Sequence, residues 1–446
     1  MNKNYLRIVL MFMTIVLSGC MSRQTVISFC FPENSIPEVT LQLGDRLLKD
    51  SCDAAGCATF VMEDVPSGFA TLIFGRGSRK MIFVEEGKRL KVNFNRNVNP
   101  GESRYSFEGD GAPENQYLEE RLNQKPLPVD RNMSEEEFLN FLNDQIVKNE
   151  KELSAQPFSP EFKRLEGGRQ RYAVLRRFSA FRGPGEWSAA IYPFLQEQLK
   201  EEPGLLKTDD YTRFVLDALF MMGVKNDPEC TPYGITEGQF NYIAENMQDT
   251  TVVDFLLGTL LSGYMDLRGV NSIEGFMEIF NQKVHSASWK ETIHEKFRKW
   301  DQVAKGKTIP EFTFLDINDK EVSLSAFKGK YVFIDYWATW CGPCKQQIPA
   351  LKELERKYAG KDIVFVSISS DKDRKKWKDM VVKDKLKGVQ LIEKLSTASE
   401  FSERFVITGI PRFILLDKEG RVYDANAPRP SDPATVKLLD NVLSRK

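Results

Sequence analysis

An apolar run that ends in a paired cysteine, Phe333-Ile-Asp-Tyr-Trp-Ala-Thr-Trp-Cys-Gly-Pro-Cys344, constrains the fold of this 446-residue chain more than any other segment. Its length and β-rich, aromatic content predict a buried strand that leads directly into the C-x-x-C pair. The spacing of Cys341 and Cys344 suits a helix N-terminus, where free N–H groups and the helix dipole favour a thiolate. A thiolate attacks a disulfide far better than a thiol does. Cys341 is therefore the expected nucleophile, partly exposed, and Cys344, one turn on, the buried thiol that resolves a mixed disulfide. Asp335 lies six residues before Cys341 inside the apolar run, where burial would raise its pKa and suit it to general-base work.

Two other uses of a C-x-x-C compete with redox chemistry. Structural zinc takes four ligands, often two such pairs or one pair with two histidines. Here there is no second C-x-x-C, and the only histidines, His285 and His294, stand nine residues apart without metal partners in sequence. A structural disulfide is the other use, and the Trp-Cys-Gly-Pro-Cys context argues against it.

At the start of the chain, Lys3 and Arg7 precede an apolar run from Ile8 to Leu17, too short to span a membrane and laid out as a secretory signal. Leu17-Ser-Gly-Cys20 resembles the bacterial lipobox, which implies cleavage before Cys20 and lipid on that cysteine. By the same resemblance, Met21, in place of an aspartate, points to the periplasmic face of the outer membrane. The later apolar stretch Val252–Leu261 is short, contains Asp254, and reads as a buried helix. A net charge of −1 gives no reason to expect nucleic acid as a partner.

The length implies more than one domain. After a signal at residues 1–19, residues 20–112 are strand-like. Val39–Leu43, Ala58–Met62, Ala70–Phe74, Lys80–Val84 and Leu90–Phe94 are separated by Gly, Pro and Asp breaks, and predict an antiparallel β-sandwich. Residues 113–304 turn helical: Ser134 caps an acid-rich first turn, and apolar stripes run through Tyr211–Met222 and Ile273–Phe280. Residues 305–446 alternate strands (Tyr331–Trp337, Ile363–Ile368, Arg412–Asp417) with helices (Cys341–Tyr358, Lys375–Leu386) and end in a hairpin leading to Val422. Cys52 and Cys57 lie between strand-like runs, where they either close a hairpin disulfide or sit unpaired beside a turn. Cys30 and Cys230 read as buried apolar side chains.

Asp335-Tyr-Trp-Ala-Thr-Trp-Cys-Gly-Pro-Cys-Lys345 resembles the active-site segment of thioredoxins. Gly306-Lys-Thr-Ile-Pro-Glu-Phe-Thr-Phe-Leu-Asp-Ile and Leu324-Ser-Ala-Phe-Lys-Gly-Lys330 are similar to the extracytoplasmic TlpA/ResA-like branch. More diffusely, Phe83-Val-Glu-Glu-Gly87 and Phe107-Glu-Gly-Asp-Gly111 resemble a small β-domain found ahead of TlpA-like domains in Bacteroidota lipoproteins. The resemblance implies a thioredoxin fold at the C-terminus, Asp335 as acceptor or relay of the Cys344 proton, and Thr408-Gly-Ile-Pro411 as the loop with a cis proline. It further implies that Trp340, Ile410 and Pro411 contact substrate and that Pro349 kinks the active-site helix. Two departures stand out. Gln347 occupies a position where TlpA/ResA-like reductases often carry glutamate, and Ile363–Ile368 lacks the lysine that pairs with the buried aspartate in thioredoxins, leaving Lys345 or Lys330 as substitutes.

The expected activity is thiol–disulfide exchange on protein clients in the reducing direction, without a cofactor, supplied by an upstream thiol donor and anchored to a membrane by lipid. No G-x-G-x-x-G opens a helix, so no nicotinamide or flavin site is expected. Three other functions compete: a partner-binding or assembly lipoprotein in which the redox pair is secondary, a peroxidase lacking its Pro-x-x-x-Thr-x-x-Cys setting, and a Cu(I) carrier lacking Met or His companions.

Overall fold

The computed structural model describes residues 24–31, 36–44, 46–99, 101–123, 128–182, 186–227, 229–394 and 400–444. The expected signal segment and Cys20 lie outside the described residues. The chain forms two compact units, Met1–Met221 and Met222–Lys446.

In the first unit, eight strands form two four-stranded sheets. One has the order β4-β1-β7-β8 and is built from β1 (Thr25–Cys30), β4 (Cys57–Met62), β7 (Arg89–Phe94) and β8 (Tyr105–Glu108). The other has the order β3-β2-β5-β6, from β2 (Glu38–Leu43), β3 (Arg46–Ser51), β5 (Gly68–Phe74) and β6 (Ser78–Val84). Alternate residues of both sheets enter one core, among them Phe29, Leu41, Phe60, Leu72, Ile82 and Val92. This is the period-2 burial expected of half-buried strands. Pairing is antiparallel throughout except between β1 and β7, which run parallel, so the fully antiparallel expectation needs that correction.

The cysteine expectations are also corrected. The disulfide joins Cys30 to Cys57, not Cys52 to Cys57, and Cys52 is a free thiol. The strand register explains the pairing: Cys30 faces Cys57 directly across the β1–β4 ladder. Cys52 follows β3, a strand of the other sheet, and its side chain packs against the common core. The loop between Cys52 and Cys57 is instead ordered by Asp53, whose carboxylate accepts the N–H groups of Ala55 and Cys57, both at 2.9 Å. Cys230 is exposed and has a left-handed backbone (φ 51°), so it is not a buried apolar residue.

Helices follow the strands: α1 (Ala112–Leu122), α2 (Glu135–Ser154), α3 (Pro160–Leu175), α4 (Phe178–Phe181), α5 (Ile191–Gln198) and α6 (Asp209–Asn226), which carries the boundary between the units. α1 is fastened to the strands by buried Asn115, which accepts the Phe83 N–H at 2.8 Å and donates to the Phe83 carbonyl at 2.9 Å. Lys80 and Glu119 form a buried ion pair beside it. The expected start of α2 is a complete capping box between Ser134 and Glu137.

The second unit opens with helices α7 (Pro232–Asn246), α8 (Thr250–Arg268), α9 (Glu274–Lys283) and α10 (Ala287–Asp301). Among the described residues no helix is long and apolar enough to cross a membrane. A seven-stranded sheet follows, β10-β9-β13-β12-β11-β14-β15. Its strands are β9 (Thr313–Asp316), β10 (Glu321–Ser323), β11 (Tyr331–Trp337), β12 (Ile363–Ser369), β13 (Val389–Ile392), β14 (Arg412–Leu416) and β15 (Val422–Asp424). Helices α11 (Gly342–Lys357), α12 (Arg374–Lys383), α13 (Glu400–Arg404) and α14 (Pro433–Ser444) alternate with them. β11 lies inside the sheet, parallel to β12 and antiparallel to β14, and six of its seven residues are buried. Continuous burial, rather than alternation, is what a strand covered on both faces requires. The α7–α10 layer joins this sheet at its far edge: the Gly306 N–H donates to the Val422 carbonyl at 2.7 Å, and Trp300 lies 5.4 Å from the Arg412 guanidinium.

Candidate active site

β11 delivers its end to the N-terminus of α11. Cys341 is the N-cap of that helix, and its Sγ accepts the Cys344 N–H at 3.1 Å, so the sulfur sits where the unpaired N–H groups of the first turn converge. Cys341 and Cys344 form a disulfide with an S–S distance of 2.01 Å. Both are buried; Cys341 is only 4% exposed, against the expected partial exposure. The reason is local packing. The pair belongs to one apolar cluster with Trp337, Trp377 and Ile392, against which Ile410 packs, and Cys341 Sγ lies 3.8 Å from the Ile410 carbonyl.

Access to the sulfurs is framed by neighbours. Trp340 is 65% exposed directly before Cys341. Gly342 and Gly409 flank the pair, and a methyl group at either would meet open space. The Ile410–Pro411 peptide is cis, and Pro411, like any proline, has no backbone N–H to offer. Of the three expected substrate contacts, the Ile410 carbonyl lies against Cys341 Sγ, Pro411 follows it, and Trp340 precedes Cys341 in the chain. Pro349 lies inside α11.

Asp335 is buried on β11. Desolvation pushes its carboxyl up to about 7; a long 3.5 Å hydrogen bond from Ser367 Oγ opposes the shift, and the negative charge of Glu355 adds to it. The expected substitutes for the missing lysine are corrected here: the charge that reaches Asp335 comes from Glu355, not Lys330 or Lys345. Ser367 faces Asp335 across the β11–β12 register. Gln347, the other departure, uses its carbonyl to accept the Ser431 N–H at 3.1 Å.

Sequence reasoning missed the clamp beneath the active-site loop. Asp371, buried past the end of β12, accepts both the N–H and the hydroxyl of Thr339 at 2.8 Å. Ser369 Oγ donates to the same carboxylate at 2.7 Å and accepts its backbone N–H at 3.0 Å. These bonds fix the turn that carries Trp340 and Cys341. The signal was present in Ser369-Ser-Asp371, a polar group closing an apolar strand parallel to the one that leads into the cysteines.

Comparison with known proteins separates the family from the fold. Residues 304–443 match the Redoxin family. Over 126 residues the chain is 32% identical to the thiol-disulfide oxidoreductase ResA of Bacillus thuringiensis, covering 28% of this chain and 71% of that protein. The chain belongs to the ResA-type thiol-disulfide oxidoreductases. ResA of Bacillus subtilis is 30% identical over 126 residues, covering 27% of this chain and 66% of that protein. The solution structure of a candidate thiol-disulfide oxidoreductase from Bacteroides vulgatus is 54% identical, covering 31% of this chain and 91% of that one, with a TM-score of 0.29. The Redoxin match falls within the second unit, which also holds the Cys341–Cys344 disulfide.

Proposed function

We propose that this chain is an extracytoplasmic reductase of protein disulfides, tethered through lipid on Cys20 to a membrane, with the periplasmic face of the outer membrane as its site. The eight-stranded first unit is a sandwich-type spacer or partner module. The observation that carries the catalytic reading is Cys341 at a helix N-terminus with its sulfur against the Ile410 carbonyl and open backbone at Gly342 and Gly409. An extended client segment fits beside Ile410, held against Trp340.

In the reduced enzyme the Cys341 thiolate attacks one sulfur of a client disulfide. A mixed disulfide forms and the first client thiolate leaves. Asp335 takes the proton of Cys344, whose thiolate attacks Cys341 Sγ, forms the intramolecular disulfide and releases the second client thiol. The client gains two electrons, and an upstream dithiol donor of lower potential returns them to the enzyme.

The test is the reduction potential of the Cys341–Cys344 couple, read by alkylation against glutathione and thioredoxin buffers. A reductase gives a value below roughly −200 mV, and a value near roughly −120 mV would reverse the direction. Cys344→Ser is expected to hold clients as mixed disulfides on Cys341, visible as adducts that dithiothreitol dissolves. Absence of both adducts and a reversible couple would refute the reading.

A further inference from the structure

Beyond Asp335 the structure contains a second carboxylate that takes no direct part in the thiol–disulfide exchange. A narrow cleft of about 10 Å³, room for a single water, opens along α11, lined by Asp335, Ser367, Lys352, Glu355, Lys387 and Gln390 over an apolar floor. Cys344, Ile348, Leu351 and Glu355 follow one another at i, i+4, i+7 and i+11, so they share one face of α11. At about 1.5 Å per residue, Glu355 lies roughly 16 Å along the axis from Cys344, too far to touch a sulfur. Asp335 and Ile348 occupy the interval.

The cleft is built to receive a donor. Glu355 Oε2 and Gln390 Oε1 are buried acceptors without a hydrogen-bond partner among the described residues. Such acceptors are satisfied by water where the site is polar. Glu355 reaches inward over Gly388, whose backbone is left-handed (φ 65°) and where a methyl group would stand 2.6 Å from Glu355 Oε1. A side chain at that position would push the carboxylate away. The charged and polar groups lining the cleft with Asp335 come from every wall: Glu355 and Lys352 from α11, Ser367 from β12, Lys387 from the segment entering β13 and Gln390 from β13 itself. The two lysines act on Glu355, holding down a carboxyl that burial raises.

We propose that Glu355 is the outer station of a proton path that links Asp335 with solvent through one bridging water, with Lys352 and Lys387 at its mouth. The path rests on the reading of Asp335 as the acid–base group. In the resolving step the Cys344 proton passes to Asp335, then through the water to the Glu355 carboxylate, and from Glu355 to bulk; the reverse transfer accompanies reduction of the enzyme. Glu355 is thus a positioning residue that acts through Asp335.

The experiment measures insulin-disulfide reduction by the full chain with dithiothreitol as donor, from pH 5.5 to 9, for wild type, Glu355→Gln, Asp335→Asn and the double variant. Glu355→Gln keeps shape and removes the relay. It is expected to slow turnover at pH 7 about tenfold. The acid limb of the profile is expected to move to lower pH, because a negative charge near Asp335 is gone. Asp335→Asn should abolish the limb, and the double variant should match Asp335→Asn alone. The rate of Cys341 alkylation should be unchanged in Glu355→Gln, which checks that the site is folded. If Asp335→Asn loses the limb while Glu355→Gln keeps wild-type rate and limb, the relay is refuted and the Asp335 reading stands. A slower Glu355→Gln with an unshifted limb, or an effect additive with Asp335→Asn, also overturns the relay. If Asp335→Asn retains the limb, the Asp335 reading fails and takes the relay with it.

Discussion

Asp335 couples the chemistry of the site to the stability of the fold. Its folded pKa of about 7 stands above the ordinary 3.8 because burial disfavours the charged form. Between about pH 4 and pH 7 the folded chain keeps a proton that the unfolded chain has released, so unfolding releases protons and stability falls as pH rises through that window. Above pH 7 the full cost persists. At 1.36 kcal/mol per unit the cost is about 4 kcal/mol at most. Asp335→Asn is therefore expected to unfold with wild-type stability near pH 4 and to be more stable than wild type by up to that amount at pH 8. Denaturant melts of both proteins at the two pH values check this. Equal gains at both would show that packing, and not ionisation, governs the site.

At the scale of elements, the β1–β4 ladder is covalently stapled. The Cys30–Cys57 bond closes a loop with a sequence separation of 27, which in the chain-entropy account is worth about 3–4 kcal/mol. Cys30→Ser is expected to lower first-unit stability by an amount of that order, whereas Cys52→Ser should change it little; urea melts of the two variants distinguish them. The same cysteines mark where the sequence was and was not legible. Strands such as Ala58–Met62 and Leu90–Phe94 announced themselves by alternation and turn breaks, and the Ser134 cap by the acids of the turn it opens. β1 and β3 did not. Arg46–Ser51 is mostly exposed and polar, so nothing in it signals a strand, and without β1 the true partner of Cys57 had no visible address. The active-site strand and helix were readable because their chemistry is local in sequence. The Asp371 clamp and Glu355 were not, since each acts on residues brought near only by the parallel β11–β12 pairing and the face of α11.

For the whole molecule, the helical region is divided between the units rather than forming a body of its own. α7–α10 belong with the catalytic sheet, and the seam between them is specific. Arg412, which follows the cis proline, is buried, holds the Val406 carbonyl at 3.3 Å and lies beneath Trp300, itself 1% exposed. Asn426 donates to the Asp266 carbonyl at 3.3 Å, and Lys305 lies 4.4 Å from the Tyr423 ring centre. A fragment that starts at 305 keeps every strand of the seven-stranded sheet and both active-site cysteines but strips Trp300 from a buried guanidinium whose Nη1 has no hydrogen-bond partner among the described residues. The lost cation–π contact alone is worth about 1–2 kcal/mol when desolvated, and exposed apolar surface adds to it. A fragment of residues 222–446 is accordingly expected to melt at least about 5 °C above one of residues 305–446, measured by calorimetry in the oxidised state. Arg412→Lys in the longer fragment should reproduce part of that loss, because an ammonium cannot stack on the indole as a guanidinium does. Equal melting of the two fragments would make α7–α10 an appendage, whereas the expected gap makes them part of the platform that holds the cis-proline loop against Cys341.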